Sequence, residues 1–181
     1  MMAGTRDLLM DEAERGVRTG GYNSVSFRDL ADALGIKSAS VHYHFRKKED
    51  LGVALVDRYS KRFFEALAAQ AEPGSTAAGR ISAYCRTYRE ALTSSDAICL
   101  CGMLGAETSG LPEVVSAAVR RFFEANLVWL SDTLSGGEGG DHADAQAAQI
   151  LATLQGAMML SHNMNDIRVF DAAAAAVLPA G

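Results

Sequence analysis

Arg28, Lys37, Ser38, Ser40, Tyr43, His44 and Lys48 crowd into one short stretch of the chain, and together they offer cations, hydroxyls, a phenol and an imidazole. That is the chemistry of anion recognition. Hydroxyls donate to phosphate oxygens, a lysine at a helix start adds its ammonium to the free backbone N–H groups there, and an arginine fork matches the acceptors on a guanine edge. On this reading Tyr43, Ser40 and Lys48 hold phosphates. Lys37, Ala39 and Ser40 face bases, and Arg28 reaches a guanine edge from a neighbouring helix.

The remaining reactive residues carry less. Cys85, Cys99 and Cys101 are too few and too scattered for a disulfide framework or a zinc site. On a helix, Cys99 and Cys101 would stand about 200° apart and face different sides. No motif gathers a nucleophile, a base and an orienting group, and no glycine-rich phosphate loop or metal-spaced cluster occurs, so no catalytic residue, metal or cofactor is assigned. A thiol-dependent enzyme would need a base paired with Cys99, and the nearby sequence offers none.

The anion-binding set needs a frame, and the stretch from Ser26 to Leu51 supplies it. Ser26 and Asp29 stand at capping-box spacing, so a helix should open near Phe27, with the Asp29 carboxylate reaching back to its start. Phe27, Leu30, Ala31 and Leu34 then form one apolar stripe. Gly35 is suited to the left-handed stop, with Ile36 folding back beneath it. Ser38 is expected to cap a second short helix that buries Val41 and Phe45. Its outer side carries Lys37, Ser40, Tyr43 and His44. This is a helix-turn-helix, whose second helix enters the DNA major groove while the first braces it.

Gly21-Tyr22, Leu30-Ala31, Gly35-Ile36, the run from Val41 to Phe45, and Lys48-Glu49-Asp50-Leu51 together resemble the TetR family of bacterial one-component repressors. The likeness covers about the first third of the chain. His42 stands where that family usually has tyrosine, and Arg46 where it has proline or a small polar residue. The resemblance implies DNA contacts at Arg28, Tyr43, His44 and Lys48. It also extends to the segment Cys99–Glu107, which is similar to a Cys-Leu…Leu-x-x-Glu signature in one subgroup of TetR-like regulators. Some of these sense electrophiles through a cysteine at the position of Cys99.

Composition bounds the rest. The chain has 181 residues, 49% of them hydrophobic, with 3 prolines and 17 glycines set mostly between periodic segments, which favours an all-α protein of about nine helices. The formal net charge of −5 argues against a nucleic-acid partner only if it is evenly spread. It is not. From Ile36 to Arg62 there are seven Lys/Arg against three Asp/Glu, and from Phe63 onward six against thirteen. Phosphate binding responds to the local field within a Debye length of about 8–10 Å. The opening residues lack an apolar signal core, and no run approaches a membrane span, so a cytoplasmic protein is expected.

Periodicity places further helices along the chain. The first should run from Ala3 to Thr19 with Leu9, Ala13 and Val17 inward. A fourth, from Lys47 or Lys48, carries Leu51, Leu55, Tyr59 or Phe63, and Ala66, and ends before a linker at Pro73-Gly74. A fifth, Thr76 to Leu92, has Ile81, Tyr84, Cys85, Tyr88 and Leu92 on one stripe. The sixth is expected from Asp96 to Thr108. A seventh follows Pro112, with Val115, Val119, Phe122, Asn126, Trp129 and Leu130 inward. Asp141 and Asp144 should cap an eighth that runs to about Asn165, and a ninth spans Arg168 to Leu178.

These readings combine into a ligand-responsive DNA-binding transcriptional regulator. Residues 1–48 form the three-helix DNA-binding domain, and residues 49–181 a helical bundle for effector binding and dimerisation. A small apolar effector would be lined by Tyr84, Tyr88, Cys99, Met103 and Phe122, together with Asn126, Trp129, Met158, Met159 and His162. The protein is expected to be a homodimeric repressor on a palindromic operator of double-stranded DNA. The dimer should form through the last two helices, with Ala143, Ala147, Gly156 and Ala157 allowing close approach and Leu154 and Met158 supplying apolar contact. The alternative reading is an electrophile-sensing repressor that uses Cys99.

Overall fold

Ser26 adopts extended backbone, and its hydroxyl accepts the Asp29 amide at 3.2 Å, which opens the helix at Phe27 in this computed structural model. Asp29 takes back not the Ser26 amide but the Ser26 hydroxyl proton, at 2.6 Å. The far end closes on Gly35, left-handed at φ 63°, with the Ile36 amide bonded to the Ala31 carbonyl at 3.0 Å. Both ends of this helix follow from local residue chemistry, a hydroxyl cap at one and a glycine free of a Cβ at the other.

The structure describes residues 4–71, 74–95 and 97–178. Ala3, Pro73 and Asp96, named above as helix or linker boundaries, lie outside them. Among the described residues the elements are α1 (Thr5–Gly20), α2 (Phe27–Leu34), α3 (Ser38–His44), α4 (Lys48–Gln70), α5 (Ala77–Ser95), α6 (Leu100–Ala106), α7 (Glu113–Ser135), α8 (Asp141–Met164) and α9 (Ile167–Ala176). Two 3-10 turns, Tyr22–Ser24 and Thr108–Gly110, join them, and no strand is present among the described residues. The protein is all-α.

Two compact units share these helices. The first is Met1–Ser60 with Leu100–Arg120, the second Lys61–Cys99 with Arg121–Gly181. By packing, then, the first unit extends past residue 48 to include the start of α4, all of α6 and the start of α7.

In the first unit, Leu9, Ala13 and Val17 of α1 are buried with Leu30, Ala31, Val41, Phe45, Leu51 and Leu55. Tyr22 and Val25, in the loop, are buried too. Arg58 of α4 ties α1 down by donating to Asp11 and to the buried Glu14, each at 2.8 Å. In the second unit, α5 buries Ile81, Tyr84, Cys85, Tyr88 and Leu92, and α7 buries Phe122, Asn126 and Leu130, as their periodicity requires. The α4 stripe continues to Leu67 rather than Ala66, because strict four-residue steps from Leu51 reach 55, 59, 63 and 67.

Three helix starts differ from expectation. Lys37, not Ser38, is the N-cap of α3, and no side chain caps it. The sixth helix begins only at Leu100, so Cys99 lies just before it and the two cysteines do not share one helix. Gly140 precedes α8 without a side-chain cap, and Asp144 instead accepts from the Ser131 hydroxyl at 2.5 Å. At the other end Asn165, left-handed at φ 50°, closes α8, and Asp166 caps α9 by accepting from the Arg168 amide.

Candidate functional site

Seven residues make α3, and only Val41 among them is buried. With the following Phe45 it anchors the helix, which leaves the rest to solvent. Lys37, Ser38, Ala39 and Tyr43 are exposed, Tyr43 to 85%, while Ser40 and His44 are half-buried. His44 meets the Tyr43 ring edge-on at 5.1 Å. His42, in the place of a tyrosine, meets the Phe27 ring of α2 edge-on at 5.0 Å, so imidazole keeps the aromatic brace between the two helices. Arg28 is exposed on α2, with Asp32 3.9 Å away as a weak neighbour. A phenol so exposed, on so short a helix, presents its hydroxyl to solvent.

Lys48 differs from the others of the set. It is half-buried at the first turn of α4, with Nζ 4.4 Å from the centroid of the Tyr22 ring. Burial pulls its pKa down, and the Glu107 carboxylate works against that pull. Its neighbour Lys47 is exposed and paired with Glu49 at 3.0 Å, while the Lys47 amide donates to Asp50 at 3.0 Å to open the helix. Burial also drives the Tyr22 phenol up to about 12, helped by the Glu49 charge, so it stays neutral beside the ammonium.

The second unit gathers an aromatic interior. Tyr84 stacks on Trp129 with ring centroids 5.3 Å apart and planes 14° from parallel, and Arg80 lies over the same indole at 5.1 Å. Phe63 meets Tyr88 at 4.9 Å, Phe122 at 5.6 Å and Tyr84 at 5.9 Å, all edge-on. Through this apolar group runs a polar thread. Gln155 Nε2 donates to the Tyr88 hydroxyl at 3.0 Å, the Tyr84 hydroxyl donates to Asn126 Oδ1 at 2.7 Å, and Asn126 Nδ2 donates to the Phe122 carbonyl at 2.7 Å. Burial pushes the Tyr84 phenol far above its ordinary range.

Of the residues assigned to an effector, Tyr84, Tyr88, Phe122, Asn126 and Trp129 come together. Cys99 and Met158 are buried in the same unit. Met103 is half-buried but belongs to the first unit. His162 and Met159 are exposed and do not line an interior, because α8 turns its buried stripe through Leu154, Ala157, Met158 and Ser161. His162 lines instead an open pocket of about 280 Å³ with Leu92, Thr93 and Asn165. A second, of about 360 Å³, lies between α7 and α8 at Leu127, Val128, Ala147 and Ala148.

Most of the residues expected to meet a second subunit need correction, Gly156 excepted, which is half-buried with open space beside it. Ala143, Ala147, Leu154, Ala157 and Met158 are buried within the protomer's own core. Met159, Leu160 and Met164 form the exposed apolar side of α8, at 52%, 55% and 62%.

Residues 9–55 match the family of bacterial regulatory proteins, tetR family, and residues 77–176 match the C-terminal domain of LmrA/YxaF-like transcriptional regulators. The chain belongs to the TetR family. It is 31% identical over 102 residues to the transcriptional regulator AcuR of Cereibacter sphaeroides, which covers 55% of this chain and 47% of that protein. To the HTH-type transcriptional repressor ComR of Escherichia coli it is 38% identical over 58 residues, 32% of this chain and 28% of that protein. It thus spans about half, or less, of the curated relatives it matches. Among solved structures it is similar to a TetR transcriptional regulator from Legionella pneumophila (TM-score 0.87, 27% identity, 97% of this chain and 96% of that one). A TetR-family regulator from Agrobacterium tumefaciens matches at TM-score 0.87 and 30% identity, over 96% of this chain and 95% of that one.

Within this TetR-family frame, periodicity does not mark Gln155 or Arg80, which reach their partners from half-buried positions outside the apolar stripes. Glu107 was visible only as the last letter of a signature. Its partner, the Tyr22 amide, lies 85 residues away and leaves no trace in a linear pattern.

Proposed function

We propose that this TetR-family protein is a ligand-responsive transcriptional repressor that binds a palindromic operator as a homodimer and leaves it when a small apolar effector binds. The observation that carries the reading is α3, a seven-residue helix that buries Val41 and turns the Tyr43 phenol and the Ser38 hydroxyl to solvent, with Lys37 exposed at its N-cap. Residues 1–48 hold the DNA-reading function, with Arg28, Lys37, Ser38, Ala39, Ser40, Tyr43, His44 and Lys48 as contacts. Residues 49–181 hold effector binding and dimerisation. Two copies on one palindrome would read half-sites about one helical turn, ~34 Å, apart.

The dimer forms through the exposed side of α8 with α9, where Met159 and Leu160 supply the apolar contact. The effector binds among Tyr84, Tyr88, Phe122 and Trp129, and Asn126 provides the polar group that orients it. These rings are already in contact, so the effector must part them. The energy of that parting is what links ligand to shape, through a tilt of α4 that changes the separation of the two α3 helices. The cytoplasm is the expected compartment; among the described residues no helix is long and apolar enough to cross a membrane.

Reversible binding is favoured over thiol chemistry by burial. Cys99 is fully buried, and burial pushes the Cys85 thiol up to about 11, where little thiolate exists at neutral pH. We read no catalytic role into the chain. Selection of duplexes from a random-sequence pool tests the proposal. A palindromic consensus supports it, and recovery of no preferred sequence contradicts it.

A further inference from the structure

The carboxylate of Glu107, in the turn after α6, meets two elements of the first unit at once. Its Oε2 accepts the Tyr22 backbone N–H at 2.8 Å. A Cβ on Gly21 would run into the same carboxylate, and Gly21 sits at φ 84°, so glycine is required there both for the approach and for the backbone. The Tyr22 ring also packs against Gly52, whose missing Cβ leaves room for Tyr22 Cε2 and Val115. The Lys48 ammonium lies over that buried ring, 4.4 Å from its centroid, and the Glu107 charge favours its protonated state.

A carboxylate near a phosphate-binding lysine opposes the phosphate, so its presence calls for a compensating task. We propose that Glu107 is a positioning residue for DNA reading: by fixing the Tyr22 amide it sets the ring on which Lys48 rests, and so directs Lys48 and the first turn of α4 at the phosphate. This rests on the DNA-binding reading above. Glu107 itself touches no DNA. Its effect passes through Tyr22 to Lys48, which makes the two ends of the relay non-additive.

The test measures affinity by fluorescence anisotropy for a palindromic duplex that the wild-type protein has selected from a random pool. Glu107→Ala should weaken binding about tenfold, a size usual for remote coupling. Glu107→Gln keeps an acceptor for the Tyr22 amide and should stay within about threefold of wild type. In a Lys48→Ala background, Glu107→Ala should add less than about twofold. Wild-type affinity in Glu107→Ala, or effects of the two substitutions that simply multiply, would overturn the proposal while leaving DNA binding intact. A wild type that selects no duplex overturns the DNA reading and this proposal with it. Should circular dichroism show Glu107→Ala unfolded, Glu107→Asp carries the same test. It keeps the charge one methylene short of the Tyr22 amide, so lost affinity supports the relay and wild-type affinity overturns it.

Discussion

The Tyr84 hydroxyl donates to Asn126 Oδ1 at 2.7 Å, and both residues are wholly buried. A phenol and an amide in an apolar interior satisfy each other, and each is costly to leave alone. Asn126→Ala removes the acceptor of the Tyr84 hydroxyl proton and should cost about 1–3 kcal/mol of stability in urea unfolding, beyond the effect of lost volume. Tyr84→Phe combined with Asn126→Ala should cost clearly less than the two singly summed. Simple additivity would mean that the bond carries no coupling.

The exposed side of α8 predicts where a second subunit meets the first. Leu160→Glu should leave the protomer folded and shift sedimentation from dimer to monomer. Leu154→Asp should instead unfold the protomer, since Leu154 is fully buried within it, at a penalty of several kcal/mol. If Leu160→Glu sediments as an intact dimer, the interface lies elsewhere.

What was legible beforehand followed local rules. Ser26, Gly35 and Pro112 announce their helix ends because a cap is decided within about four residues. Tyr84, Tyr88, Phe122 and Asn126 announce their burial because one apolar face recurs at the helical period. The errors have equally physical origins. Asp144 looked like a cap, but Ser131, thirteen residues earlier in the chain, offered its carboxylate a better partner. Leu154 and Met158 looked like interface because one stripe of small and apolar residues fits either a core or a partner, and only folding decides which.

Asp166 gives α8 and α9 a pH-sensitive joint. The Arg168 guanidinium, followed by the Arg168 amide, holds its carboxyl down to about 2 from an ordinary 3.8. Since the folded value is the lower one, the stabilisation is present above about pH 4 and fades as pH falls toward 2. Asp166→Asn should flatten the acid limb of the stability curve over that window and leave the neutral limb parallel to wild type. An acid limb of unchanged slope would place the sensitivity in other carboxylates.

The three thiols should behave as buried groups. Cys85, Cys99 and Cys101 are all buried, so the native protein should react slowly with a thiol reagent and titrate three thiols only after unfolding. A reversible apolar effector should release DNA equally from Cys85→Ser, Cys99→Ser and Cys101→Ser. Rapid labelling of Cys99 in the native protein, with loss of the response in Cys99→Ser, would put the electrophile-sensing reading ahead of the reversible one.

The claim on which the rest depends is that the outer face of α3 and the start of α4 bind DNA, and its most direct measurement is the salt dependence of affinity for a selected palindromic duplex. Wild type should give a steep linear fall of log affinity with log salt, and Lys48→Ala should make that slope shallower by about one while weakening all duplexes alike. Tyr43→Phe should weaken every duplex with the slope unchanged, because it removes a neutral donor. Arg28→Ala should cost about 1–3 kcal/mol at one base pair of each half-site and nothing elsewhere. A slope unchanged by Lys48→Ala, with no loss in Tyr43→Phe and no change of preference in Arg28→Ala, would contradict the assignment of this face to DNA.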